Sequence, residues 1–233
     1  MRKLQLVVGS LAVLIAFLLV TAMGCDGDDG EVTPTPGSTE VQDQLRQLVL
    51  QLEDLPAGVI LAEEFFTTAE ESALQGEGRE ERLAQLQEWG YILGYDVTYQ
   101  ANPQVQSEVG LILANSTASL YGDEDGAGAS FADAAETART TDWAALFGGA
   151  QDIEVQEMDI PALTDEMLWL RITAKAAPEV GIDEETFVQD VILFRQGPAR
   201  GSMMVAWTMD DGSSAFIQQL VEAQAQNMKD ALP

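Results

Sequence analysis

The chain reads as an α+β domain, a mainly antiparallel sheet of about six to seven strands packed against helices, with helices at both the N- and C-terminal ends. Three observations lead there. Apolar residues recur at helical spacing near both termini: Val41, Leu45, Leu48 and Leu52, and then Phe216, Ile217, Leu220, Val221, Ala223 and Met228. Between them lie short strand-like runs joined by turn residues. The helical stretches sit before, between and after these runs instead of alternating with them, which favours an antiparallel sheet over a series of βαβ units.

Taken in order, Thr39-Glu40-Val41-Gln42 matches a capping box, in which the threonine and glutamine side chains satisfy free backbone donors. A helix is therefore expected from Thr39 until Pro56 and Gly58 stop it. Val59 to Phe66 is a short apolar stretch and reads as a first strand. Glu70 to Leu86 is rich in helix formers, and Gly76 and Gly78 split it into two pieces. From Trp89 to Gln100 the pattern alternates, with Trp89, Tyr91, Leu93, Tyr95, Val97 and Tyr99 on one face of a strand and Gly90, Ile92, Gly94, Asp96, Thr98 and Gln100 on the other. Asn102-Pro103 breaks this run. Val105, Val109, Leu111 and Leu113 are expected to form the returning strand of a β-hairpin.

Asp123-Glu124-Asp125-Gly126 reads as an acidic loop before an alanine-rich helix over Ser130 to Arg139. A brief helical piece at Trp143 to Phe147 ends at Gly148-Gly149. Four more strands are expected at Ile153–Met158, Glu166–Ala174, Phe187–Arg195 and Gly201–Met209, the last two paired through the turn Gln196-Gly197-Pro198-Ala199-Arg200. Ser213 or Ser214 is expected to cap the final helix. The predicted core includes Leu45, Leu48, Trp89, Tyr91, Leu93, Val109, Leu111, Phe131, Trp169, Ile192, Val205, Phe216 and Leu220.

The N-terminal region carries a different signal. Met1-Arg2-Lys3 is basic, Leu4 to Met23 is apolar apart from Gln5, Ser10 and Thr21, and Ala22-Met23-Gly24-Cys25 leads into the polar Asp26-Gly27-Asp28-Asp29-Gly30. This order resembles the lipobox of bacterial lipoprotein precursors. The resemblance implies cleavage between Gly24 and Cys25, a lipid on Cys25, and a mature chain held to the outer side of the cell membrane. Residues 1–24 are then the signal peptide. Residues 25–38 form an acylated cysteine with a flexible tether, since Asp26 to Ser38 holds glycine, proline and acids with only Val32 apolar. Residues 39–233 form one extracytoplasmic domain. Its layout is loosely similar to the small α/β lipoprotein domains of the PsbP-like and LpqN-like group, which pack a twisted antiparallel sheet against helices.

The chain of 233 residues has 11 basic and 39 acidic residues and no histidine. Loss of Arg2 and Lys3 with the signal leaves 9 against 39, a net charge of −30. Such a charge repels nucleic acid and anionic headgroups, so no nucleic-acid partner is expected and attachment to the bilayer falls to the lipid. With Cys25 the single cysteine, there is no intramolecular disulfide, and the domain is held by burial alone. Without histidine, Ser-His-Asp and Cys-His catalysis and the usual zinc and copper ligand sets are excluded.

What remains is carboxylate chemistry and recognition. Glu63, Glu64, Asp165 and Glu166 are candidates for a hydrolytic carboxyl pair, but with 39 acids in the chain each is expected to be a solvated surface group. Asp123, Glu124 and Asp125 offer oxygens to calcium, yet no glutamate follows at an EF-hand spacing, so no specific metal site and no cofactor are expected. The stripe Trp89, Tyr91, Tyr95 and Tyr99 is the best candidate for a ligand-facing surface, since tyrosine and tryptophan favour binding surfaces. Its alternative, and the preferred reading, is a sheet face covered by helices. The function expected is a non-enzymatic binding or interaction domain at the cell surface, taking an unknown protein or small-molecule ligand. The competing class is an extracytoplasmic carboxylate-dependent hydrolase, with or without calcium.

Overall fold

The computed structural model describes residues 38–74, 78–147, 151–159, 162–175, 186–208 and 213–232. Gly24, Cys25 and the tether up to residue 37 lie outside them, as do Gly76, Gly148 and Gly149. Among the described residues there are seven strands: β1 (Val59–Thr67), β2 (Tyr91–Ala101), β3 (Leu111–Tyr121), β4 (Gln151–Glu157), β5 (Glu166–Lys175), β6 (Thr186–Gln196) and β7 (Ala199–Thr208). They form one sheet in the order β1-β2-β3-β7-β6-β5-β4, with every neighbouring pair antiparallel. Seven helices accompany it: α1 (Ser38–Leu48), α2 (Ala69–Ala73), α3 (Arg79–Glu88), α4 (Pro103–Val109), α5 (Glu124–Thr140), α6 (Trp143–Leu146) and α7 (Ser213–Ala231). The expected α+β class, with helices at both ends, is the observed one.

Helices α1 and α7 lie together over one face. Gln44 donates to the Ala231 carbonyl at 3.2 Å, and Asn227 donates to the Val49 carbonyl at 3.0 Å, tying the first and last of the described helices together. Beneath them the main core collects Leu45 and Leu48 of α1, Ile217, Leu220, Val221 and Met228 of α7, and the inward residues of β2, β3, β7 and β6. Each large side chain fully buried there contributes about 1.5–3 kcal/mol. On the opposite face α5 covers the β5–β6 side with Phe131, Ala135 and Ala138 on Leu168, Leu170, Ile172 and Leu193.

Several expectations are corrected. β2 and β3 pair antiparallel as the expected hairpin, but a helix occupies their connection. Asn102 caps a helix by accepting from the backbone of Gln104 and Val105, and Pro103 takes the first helical position, where a missing N–H costs nothing. Val105 and Val109 therefore belong to α4, which ends at Gly110 with a φ of 72° that glycine adopts readily. The β3 strand instead runs on through Ala114-Asn115-Ser116-Thr117-Ala118-Ser119, residues too small and polar to announce a strand.

The acidic loop is also a helix start. Asp123 accepts from the Gly126 backbone at 2.8 Å, and Glu124 and Asp125 occupy the first turn of α5, where negative charge meets the positive end of the helix. Helix α1 is already formed at Ser38, so Thr39 lies inside it instead of capping it, and it ends at Leu48 before a separate 3-10 turn at Leu52–Asp54. Of the predicted core, Trp89, Tyr91, Leu93, Val109 and Phe216 are only half-buried, while the other eight are buried.

Candidate functional site

The face of the sheet turned away from α1 and α7 has two unlike halves. Toward β5 it is apolar and covered by α5. Toward β2 and β3 it is polar, and the pairing register sets its side chains in rows. Thr67, Gly94, Ser119 and Arg200 form one row, and Phe65, Asp96, Thr117 and Ser202 the next. Glu63, Thr98, Asn115 and Met204 form the third. Asp96, Thr98, Asn115, Thr117 and Ser202 are all half-buried, neither core nor free surface. Thr117 and Ser202 share a hydrogen bond of 2.7 Å, and Asn115 donates to the Thr98 hydroxyl at 3.0 Å.

Two charged groups stand on this floor. Asp96 accepts from the Thr67 hydroxyl at 3.3 Å. Burial pushes its carboxyl up from 3.8 to about 6; the Thr67 hydrogen bond and the charge of Arg200 oppose the rise, and Glu63 adds to it. Arg200 donates from Nη1 to the Ser130 hydroxyl at 3.2 Å, and that hydroxyl also meets the Tyr121 hydroxyl at 2.5 Å. Its Nε is buried and has no partner, the one such side-chain polar atom among the described residues. No carboxylate of the described residues comes within ion-pair distance of Arg200, although Arg46, Arg82, Arg139, Arg171, Lys175 and Arg195 each have one.

Tyr91 closes one side. Its hydroxyl donates to the Thr67 carbonyl at 2.9 Å, its ring meets Tyr121 edge-on at 5.6 Å, and burial raises its pKa. The ring lies over Gly94, where any side chain would collide with the tyrosine hydroxyl.

The expected aromatic stripe is thus broken. A register shift between Tyr91 and Leu93 turns Tyr91 onto the polar face, while Tyr95 and Tyr99 point into the core under α1. Tyr99 donates to the Leu50 carbonyl at 2.8 Å, and burial pushes its hydroxyl up to about 12. Trp89 precedes the strand as the C-cap of α3, with the Arg82 guanidinium 5.2 Å from its ring centre. Only Tyr91 of the four joins the candidate site.

The carboxyl pairs do not assemble either. Glu64 takes the Tyr95 hydroxyl on the α1 side, whereas Glu63 lies opposite Thr98 on the other face. Asp165 and Glu166 both bind Arg195, at 3.3 and 2.6 Å. Asp123 is engaged as a helix cap.

One polar cluster escaped the sequence reading. Fully buried Asp190 accepts from Trp169 and Trp207 indoles at 2.6 and 2.7 Å and from Arg171 Nε and Nη2 at 2.9 and 3.1 Å. The guanidinium packs on both indoles, 5.5 and 5.0 Å from their centres. Its trace in the sequence is Asp190 inside the apolar run from Phe187 to Phe194.

These features define a class: an antiparallel sheet with helices on both faces, one face polar and half-covered. No family model and no curated protein matches the chain. Its fold is similar to that of the extracellular domain of PknH from Mycobacterium tuberculosis, with a TM-score of 0.50 over 81% of this chain and 95% of that one, at 8% sequence identity. That likeness is one of fold.

Proposed function

We propose that the chain is a lipid-anchored, extracytoplasmic, non-enzymatic binding domain that takes a small polar molecule on the β2–β3–β7 face. One observation carries the binding reading: five polar side chains, Asp96, Thr98, Asn115, Thr117 and Ser202, are set half-buried side by side on a sheet face that α5 leaves partly open. Polar groups held this way cost desolvation without joining a core, and they offer donors and acceptors at fixed spacing. The extracytoplasmic reading is supported by the Gly24-Cys25 lipobox and by the fold of the PknH extracellular domain.

The test of binding is a thermal-shift screen of small polar metabolites against the full chain in detergent, repeated on Ser202→Tyr, which fills the floor. Hits are expected in the first and lost in the second; hits that survive Ser202→Tyr would place binding elsewhere. Anchoring is checked by fatty-acid labelling, expected in the wild type and absent from Cys25→Ser. A wild-type chain that takes up no label leaves residues 1–24 as an uncleaved anchor instead.

A further inference from the structure

We infer that Arg200 is the anchor for the carboxylate of a monoanionic small molecule, an inference that rests on the binding reading above and specifies its ligand. In a chain with 39 acids, a half-buried guanidinium without an acidic partner among the described residues is an exception that asks for an external anion. The geometry specifies the mode. Nη1 is taken by Ser130, and neither Nε nor Nη2 bonds any described group. Those two N–H groups form the side-on edge that grips a carboxylate with two parallel hydrogen bonds. Nε is out of contact with solvent, so a carboxylate reaches it only with a shift of the Arg200 side chain and is then held in partly desolvated surroundings, where charge-assisted bonds are stronger.

Charge selects a monoanion. Arg195 stands directly across from Arg200 on this face but is already held by Asp165 and Glu166, so among the described residues Arg200 is the cation here left without a carboxylate, while Asp96 and Glu63 in the neighbouring rows oppose further negative charge. A carboxylate is neutralised by Arg200, whereas a phosphate dianion keeps a charge that these acids and the field of the whole protein repel. Thr117, Ser119 and Ser202, in the rows of Asp96 and Arg200, supply hydroxyls for the rest of a small polar ligand.

The experiment follows the arginine Nε–H resonances of the ¹⁵N-labelled full chain in detergent. The chain has eight arginines, and Arg200→Gln assigns the signal by its absence. Acetate is the probe, titrated at constant ionic strength against chloride and inorganic phosphate. The expected result is a saturable shift of the Arg200 Nε–H with acetate, at least about ten-fold weaker with phosphate or chloride, the ratio expected where two charged hydrogen bonds decide binding. No shift, or an equal response to chloride, overturns the inference, and so does a preference for phosphate. Arg200→Gln and Ser202→Tyr then separate the two readings. Metabolite hits lost in Ser202→Tyr but retained in Arg200→Gln keep the binding face and discard the carboxylate anchor. A saturable acetate shift with no Ser202-dependent hit keeps the anchor and discards the wider face.

Discussion

Asp190 and Asp96 are both strand carboxylates withdrawn from bulk water, each with an arginine in its field, yet they sit in opposite conditions. Asp190 lies on the face covered by α1 and α7 and receives four hydrogen bonds from Trp169, Trp207 and Arg171. Asp96 lies on the half-open face and receives one long bond from Thr67, with Arg200 close enough to influence it but not to pair. A buried carboxylate with all its acceptor sites filled is a structural tie. One left under-satisfied destabilises the empty protein and opposes added negative charge, whereas a guanidinium with no carboxylate partner among the described residues is poised to be relieved by an anion. The difference separates the face that holds this domain together from the face proposed to bind.

The contrast is broken most directly by removing Asp190. Asp190→Ala takes the carboxylate from the Arg171 guanidinium and leaves two buried indole N–H groups without an acceptor. The expected loss is about 3–5 kcal/mol, read as a lower urea midpoint of the full chain. A loss under about 1 kcal/mol would mean that the quartet is incidental to stability.

Asp96→Asn should act in the other direction. The native carboxyl titrates near 6 against 3.8 for the ordinary group. The folded state therefore holds the extra proton between those values, and stability falls as pH rises from about 4 to about 6. The amide avoids that cost. Asp96→Asn is expected to be more stable than the wild type by up to about 3 kcal/mol at pH 7, with the gain vanishing below about pH 4. Urea melts at the two pH values check it. Equal stability of both proteins at pH 7 would show Asp96 to be solvated and the polar face to lack its desolvated character.

A third acid sharpens the comparison because it is exposed and its role is local. Asp123 caps α5 through the Gly126 backbone, so Asp123→Ala should cost about 1 kcal/mol in thermal or urea unfolding at any salt concentration. The smallest effect concerns calcium. Asp123, Glu124 and Asp125 are spent on a helix start, and calcium is expected to raise the melting temperature no more than magnesium does, with the effect fading as salt is added. A calcium-selective rise that survives high salt and disappears in Asp123→Ala would contradict this.

What the amino-acid order determined by itself is everything written in local periodicity and composition. The helices around Leu45 and Leu220, the β5, β6 and β7 strands and the turn at Gly197 were legible because apolar spacing of 3.6 or 2 is a local property. The resemblance of the Gly24-Cys25 region to a lipobox rests on a contiguous pattern of charge, apolar length and small residues, which is a property of the sequence alone. The helix α4 at Pro103 was misread because two valines four apart serve a helix or a strand equally, and only the Asn102 cap decides. The β3 continuation was hidden because Ser116, Thr117 and Ser119 gain strand character from their neighbours, not from themselves. Tertiary structure alone decided the sites. One shifted residue at Ile92 sends Tyr91 to one face and Tyr95 to the other, and no single-strand pattern contains that register. Whether an arginine is paired depends on which acids the sheet order brings beside it. Glu166 reaches Arg195 across β5–β6, whereas Arg200, set between Arg195 and Ser119, has no acid of the described residues within ion-pair distance.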